Sequence, residues 1–324
     1  MTTAGRQPAD LPGPAIRIAW DRGRAETWPL GATIHHLRLR LEDGREIAPL
    51  AEAPWHDDPQ TTGDGSIPAH LRWLGGEWAC VPFGRTQADP VIHGFGTDNA
   101  WRLQDAAPHS TVWRIDYPAG HPIEWLERTV AGVPGRAAVT CSLTAMPRRD
   151  CVLPVGLHPI ARLPEPNEAL RVQGAFSHGE TFPVIFEEGV SKLAAGRRVD
   201  SLDALPLAEG GTLGLSALCG QTTEEAFQLF GVAGRLRIEY PRQRYALGLE
   251  WNAADFPTCL FWLSAGGRSQ KPWRGRFRGL GVEPLNARFE AQGGQGAIAG
   301  GRRFRAGEIW TTSYTLSVEA LDGT

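Results

Sequence analysis

The sequence predicts an all-β chain built as a large antiparallel β-sandwich. Three observations carry that expectation. Apolar and polar residues alternate with period two in one stretch after another, the pattern of a strand with one face buried. Glycine and proline, with 39 and 25 residues, make up about a fifth of the chain, well above ordinary usage, so turns are frequent. A convincing helical period is hard to find, and no βαβ rhythm, Walker loop or GxGxxG after a strand appears.

Strand-like alternation runs through 37–41 (LRLRL), 112–117 (VWRIDY), 139–145 (VTCSLTA), 235–240 (RLRIEY) and 309–318 (IWTTSYTLSV). In 139–145, Val139, Cys141, Leu143 and Ala145 take one face while Thr140, Ser142 and Thr144 take the other. Turn signals such as Pro118-Ala119-Gly120, Val133-Pro134-Gly135, Gly210-Gly211 and Gly266-Gly267 separate the strands. The best helical candidate, 187–195 (EEGVSKLAA), is short and interrupted by Gly189, and 196–212 reads as a long loop or a short helical excursion. No linker and no internal repeat divides the chain, so residues 1–324 are expected to form one domain of two packed sheets. Residues 1–14 and the last few are expected as loose ends.

Composition narrows the function. With 42% hydrophobic and 21% charged residues, the chain has enough apolar surface for a large core, which excludes wholesale disorder. A net charge of −3 argues against a nucleic-acid binder. The start lacks an apolar stretch and no segment approaches a membrane span, so neither secretion nor membrane insertion is expected. Five scattered cysteines without CxxC spacing fit a reducing cytoplasm and offer no zinc motif. His35-His36 and His178 have no companion at metal-ligand spacing. The basic run Lys271, Arg274, Arg276 and Arg278 is either a phosphate site or, by default, a solvated face.

Three segments combine histidine or glutamate with tight-turn residues and aromatics: 75–101 with Arg85 and His93, 154–160 (PVGLHPI) with His158, and 276–284 (RFRGLGVEP) with Glu283. Their order resembles the aldose 1-epimerase family, the galactose mutarotases and their hexose-6-phosphate mutarotase relatives. That family has a Gly-Gly…Pro-x-x-Phe-Gly stretch, then His-Gly-Phe with a tryptophan eight positions on; Gly75-Gly76, His93-Gly94-Phe95 and Trp101 stand in similar relations, and Pro82-Phe83-Gly84 matches with the proline set directly before the phenylalanine. Its Gly-Leu-His-Pro motif is matched at Gly156-Leu157-His158-Pro159, and its C-terminal Glu-Pro pair at Glu283-Pro284. The resemblance implies a galactose mutarotase-like supersandwich and an isomerase that interconverts the α and β anomers of an aldose.

The chemistry of that reaction is simple. Opening the ring needs a proton on the ring oxygen and removal of one from the anomeric hydroxyl, so one acid and one base suffice, without metal or cofactor. The resemblance implies His158 as general acid and Glu283 as general base. It implies His93 as a contact to a sugar hydroxyl or the ring oxygen, and Arg85 as a grip on other hydroxyls, each alternatively a loop-stabilising residue. Trp262 is either a stacking platform or core. Glu224 and Glu225 fall where relatives place a sugar-binding acid, and Glu225 is the candidate taken. The expected partner is a small-molecule sugar, with no nucleic acid and no membrane, in a monomer or homodimer.

Two departures bear on the substrate. Gly96-Thr97 replaces the Ala-Arg of the phosphate-sugar branch, and the missing guanidinium argues against a phosphorylated sugar. Ile160-Ala161 replaces Tyr-Phe beside His158. Hexose-6-phosphate mutarotation, sugar binding without turnover, and lyase or hydrolase action on a longer glycan stay open as alternatives.

Overall fold

The computed structural model describes residues 13–321. Of the expected loose ends, residues 1–12 and 322–324 lie outside the described residues. Two eight-stranded antiparallel sheets dominate. The first, the site sheet, runs in the order Arg198–Val199, His178–Thr181, Thr223–Phe230, Thr258–Ala265, Arg278–Leu285, Gly156–Leu157, Ala79–Cys80, and Ile160–Arg162 also pairs with Arg278–Leu285. The second runs Arg171–Gln173, Arg235–Tyr240, Tyr245–Trp251, Trp310–Ala320, Ala138–Pro147, Ile123–Gly132, Ser110–Asp116, Arg102–Ala107. A four-stranded sheet, Ile16–Trp20, Gly23–Thr27, Ile34–Arg40 and Glu46–Ile47, precedes them in the chain.

The long strands Ser110–Asp116, Ala138–Pro147 and Trp310–Ala320 of the second sheet alternate as the sequence predicts. Ala138–Pro147 buries every second residue from Val139 to Pro147, because one face meets the core and the other meets water. The site sheet behaves differently. Thr258–Ala265 is buried at every position and Arg278–Leu285 at all but its first. One face, with Phe227, Phe261, Leu263 and Val282, packs into the cluster shared with Leu247, Leu316, Cys141 and Val130 of the second sheet. The opposite face, with Ala226, Leu260 and Trp262, is covered by a second cluster in which Trp55, Trp78, Phe83, Trp273 and Phe277 arrive from connecting segments.

The best helical candidate, 187–195, does not form a helix. Gly189 takes φ +72°, outside the helical region, and the segment is tied to the site sheet instead, where Lys192 N donates to Glu225 at 2.6 Å and the Ser191 hydroxyl donates to the Glu224 carbonyl. Over 196–212 the chain makes short strands, Arg198–Val199 and the pair Leu205–Pro206 with Thr212–Leu213. The helices among the described residues are single turns at Pro59–Thr62, Ala69–Arg72 and Leu215–Cys219, and none is long and apolar enough to cross a membrane. All five cysteines are free thiols.

Candidate active site

Glu283 lies on Arg278–Leu285, directly opposite Leu260 of the neighbouring strand. Its carboxylate folds back over Gly281, the previous residue on the same face, where any Cβ would overlap Glu283 Oε1. Gly281 is therefore required for the close approach. His158 sits between the two short strands that flank the other edge of Arg278–Leu285. Its backbone N–H donates to the Trp78 carbonyl at 2.8 Å, and its imidazole stacks on the Trp78 indole at 4.1 Å between centroids and 14° between planes. Gly156, two residues earlier, leaves room for the Phe83 ring.

These constraints bring His158 Nε2 to 3.3 Å from Glu283 Oε1. Both residues are buried, at 3% and 1% exposure, and Glu283 Oε1 has no hydrogen-bond partner. Burial drives each toward its uncharged form. It raises the Glu283 carboxyl well above its usual range and lowers His158 to about 3. The pair therefore holds one transferable proton, and its macroscopic titration belongs to both groups together.

His93 stands edge-on to His158, with ring centroids 4.9 Å apart. Its φ of +68° and that of Gly94 at +86° turn the loop sharply against Val81, whose carbonyl a side chain on Gly94 would strike. Asp89 holds the turn by accepting from Val91 N at 2.9 Å and Phe95 N at 2.7 Å. Burial and the two neighbouring histidines, His158 and His70, hold His93 neutral by lowering its pKa well below the usual value. Trp262 points to the same face, its ring 5.9 Å from that of His158, so it is both packed, at 8% exposure, and part of the wall.

Of two further expected contacts, only Glu225 is turned away from the site face. Arg85 is exposed and makes no hydrogen bond or ion pair among the described residues. Glu225 requires correction: it faces the inter-sheet core, where its carboxylate accepts from Lys192 N, Leu193 N and the Thr223 hydroxyl. Its neighbour Glu224 is the acid on the site face, because alternation along Thr223–Phe230 puts 224 and 226 on the side of Trp262. Glu224 Oε1 accepts from Ser264 at 2.6 Å, and Oε2 lies 3.9 Å from Arg268 Nε. Arg268, absent from the sequence reading, also pairs with Glu187 at 2.9 Å and lies over Trp273 at 4.8 Å. The basic run does not converge on an anion site: Lys271 pairs with Asp64 at 2.7 Å, and Arg278 donates to the Cys219 carbonyl at 2.9 Å. A cavity of about 290 Å³ adjoins Leu260 and is lined by Phe182, Gln228, Arg288 and Phe289.

Comparison of the whole architecture decides its kind. It superposes on a GalM/aldose epimerase homologue from C. elegans with a TM-score of 0.65 at 14% identity, covering 95% of this chain and 99% of that one. The fold is that of the galactose mutarotases. A galactose mutarotase-like protein from Lactobacillus casei gives a TM-score of 0.60 at 18% identity over 94% of this chain and 100% of that one. A galactose mutarotase related enzyme from Lactobacillus acidophilus gives 0.62 at 13% over 96% and 99%. No family model matches the sequence, and no curated protein does. In this mutarotase fold, Glu283 and Trp262 occupy central strands of one sheet, while Trp78 and His93 come from the segments laid across it.

Proposed function

We propose that the chain is a cofactor-independent aldose mutarotase with His158 as general acid and Glu283 as general base. The observation that carries this reading is the 3.3 Å approach of His158 Nε2 to Glu283 Oε1 in a buried, aromatic-walled site. The ring oxygen and the anomeric hydroxyl of an aldose are borne by the same carbon, so the groups serving them must be close neighbours. In the closed-ring complex the imidazolium of His158 gives its proton to O5 as the C1–O5 bond breaks. The Glu283 carboxylate meanwhile takes the proton from O1, and the C1–O1 bond becomes the carbonyl. This leaves neutral imidazole and carboxylic acid, the forms that burial favours. Rotation about C1–C2 presents the other carbonyl face, and closure reverses both transfers. No net proton is gained or lost.

Trp78 orients His158 from below, and Trp262 offers an apolar face to the sugar ring. Glu224 and His93 supply hydrogen-bonding groups on the same side. The acids Glu187 and Glu224 already neutralise Arg268, which favours an unphosphorylated sugar over a dianion.

The test is anomer exchange by NMR on glucose, galactose, other free aldoses, a disaccharide and glucose 6-phosphate. Exchange above the spontaneous rate that falls by at least about 10²-fold in Glu283→Gln and in His158→Asn is expected, since each group contributes on that order. Unchanged exchange in both variants would overturn the assignment, and calorimetric sugar binding without exchange would favour a binding protein.

A further inference from the structure

His35-His36, solitary in the sequence, acquires companions in the structure. Ile34–Arg40 carries both histidines, and the segment that follows the four-stranded sheet returns Glu52 and His56 to them. One ring nitrogen each from His35 and His56 and one Glu52 oxygen lie within 4.8 Å of one another. His35 Nδ1 is 2.6 Å from Glu52 Oε2, and the His36 backbone N–H donates to Glu52 Oε1 at 2.9 Å.

We propose that His35, Glu52 and His56 form a binding site for a divalent first-row transition-metal ion, zinc foremost, with solvent completing the coordination.

Three observations support it. Two imidazoles and one carboxylate form a donor set that suits zinc and its neighbours, and three protein ligands with one open position is a recurring arrangement. The spacing is compatible: ligand atoms about 2.1 Å from a tetrahedral ion lie roughly 3.4 Å apart, between the 2.6 Å of the His35–Glu52 contact and the 4.8 Å that bounds the group. The outer shell orients one ligand, because His56 Nε2 is 2.9 Å from the Leu74 carbonyl. Donation there leaves His56 Nδ1 as the lone-pair nitrogen, the second-shell device common to metal-binding histidines. The walls are apolar: the His35 ring stacks on Trp28 at 3.8 Å, and Trp73 lies 5.5 Å from His56. His36, turned outward at φ +53°, stands at the open side.

The bound ion would act as a clamp. It would pin the 52–56 segment to Ile34–Arg40 and, through Leu74, to the Gly75-Gly76 turn that leads to Trp78. No step of the proposed reaction passes through it.

The experiment uses tag-free, chelator-treated protein titrated with Co²⁺ and followed by visible absorption, with Zn²⁺ as competitor. A saturable one-to-one spectrum displaced by Zn²⁺ is expected, weakened by at least about tenfold in Glu52→Gln and His56→Gln and retained in His178→Gln. Should either variant fail to fold, imidazole ¹⁵N shifts of the wild-type protein read the same point: Zn²⁺ should move His35 and His56 and leave His109 and His178 in place. Absence of one-to-one binding, equal affinity in folded variants, or shifts confined to other histidines would each overturn the proposal.

Discussion

A methyl group on Gly281 would collide with the Glu283 carboxylate while leaving the strand pairing with Trp262 intact. Gly281→Ala should therefore keep the far-UV spectrum of the fold and lower anomer exchange by at least about tenfold, since displacements near an ångström cost up to 10²-fold. In the proposed reaction Glu283 trades stability for chemistry. Unfolded, its carboxyl ionises near the ordinary 4.5; folded, burial keeps it protonated well above that. The folded state thus binds more protons across the interval, and its stability falls as pH rises. Glu283→Gln should raise Tm by at least about 2 °C at neutral pH, and the gap should widen as pH rises above 4.5, while only the unfolded carboxyl is ionised. Burial lowers His158 to about 3, so protonation of the pair is deferred to strongly acid conditions. His158 should accordingly contribute no inflection near 6.5, the ordinary histidine value, to the pH profile of anomer exchange. An imidazole of His158 that titrates there by NMR would contradict the shared-proton pair.

At the scale of elements, the strand that begins at Ala79 is anchored from the segment just before it. Glu77, fully buried, pairs with Arg128 of Ile123–Gly132, which also donates to the Tyr314 hydroxyl at 3.0 Å. This links the lead-in to Trp78 with the second sheet across the core. Glu77→Gln leaves a buried guanidinium short of its counter-charge and should destabilise by about 3 kcal/mol or more, whereas Glu77→Leu with Arg128→Met should recover most of the loss; urea unfolding measures both. Such elements also mark how far the sequence could be read. The second sheet was legible because water on one face writes a period of two into 139–145 and 235–240. Strands of the site sheet were less legible, since burial on both faces erases that period. His158 and Glu283 could be found from their local motifs. Choosing Glu224 over Glu225 required the pairing of 224 with Ser264 and 226 with Trp262, a register that one strand read alone does not contain. Arg268 has no local motif and reaches the site only through folding.

For the whole molecule, one apolar cluster joins Ile34 and Leu39 of the four-stranded sheet with Phe261 and Val282 of the site sheet and Leu247 and Leu316 of the second. We propose that the three unfold as one domain: urea transitions followed by tryptophan fluorescence and by far-UV circular dichroism should coincide, and separated midpoints would show otherwise. The site is divided between two kinds of structure. Glu283 is set in a strand hydrogen-bonded on both edges, whereas His93, Arg268 and the tryptophan at 78 stand on connecting segments. Connections tolerate exchange far better than central strands do. Under the proposed function, a designer seeking a new sugar preference can therefore vary the connecting segments while the strand that carries Glu283 stays in place, and natural divergence has the same route open to it.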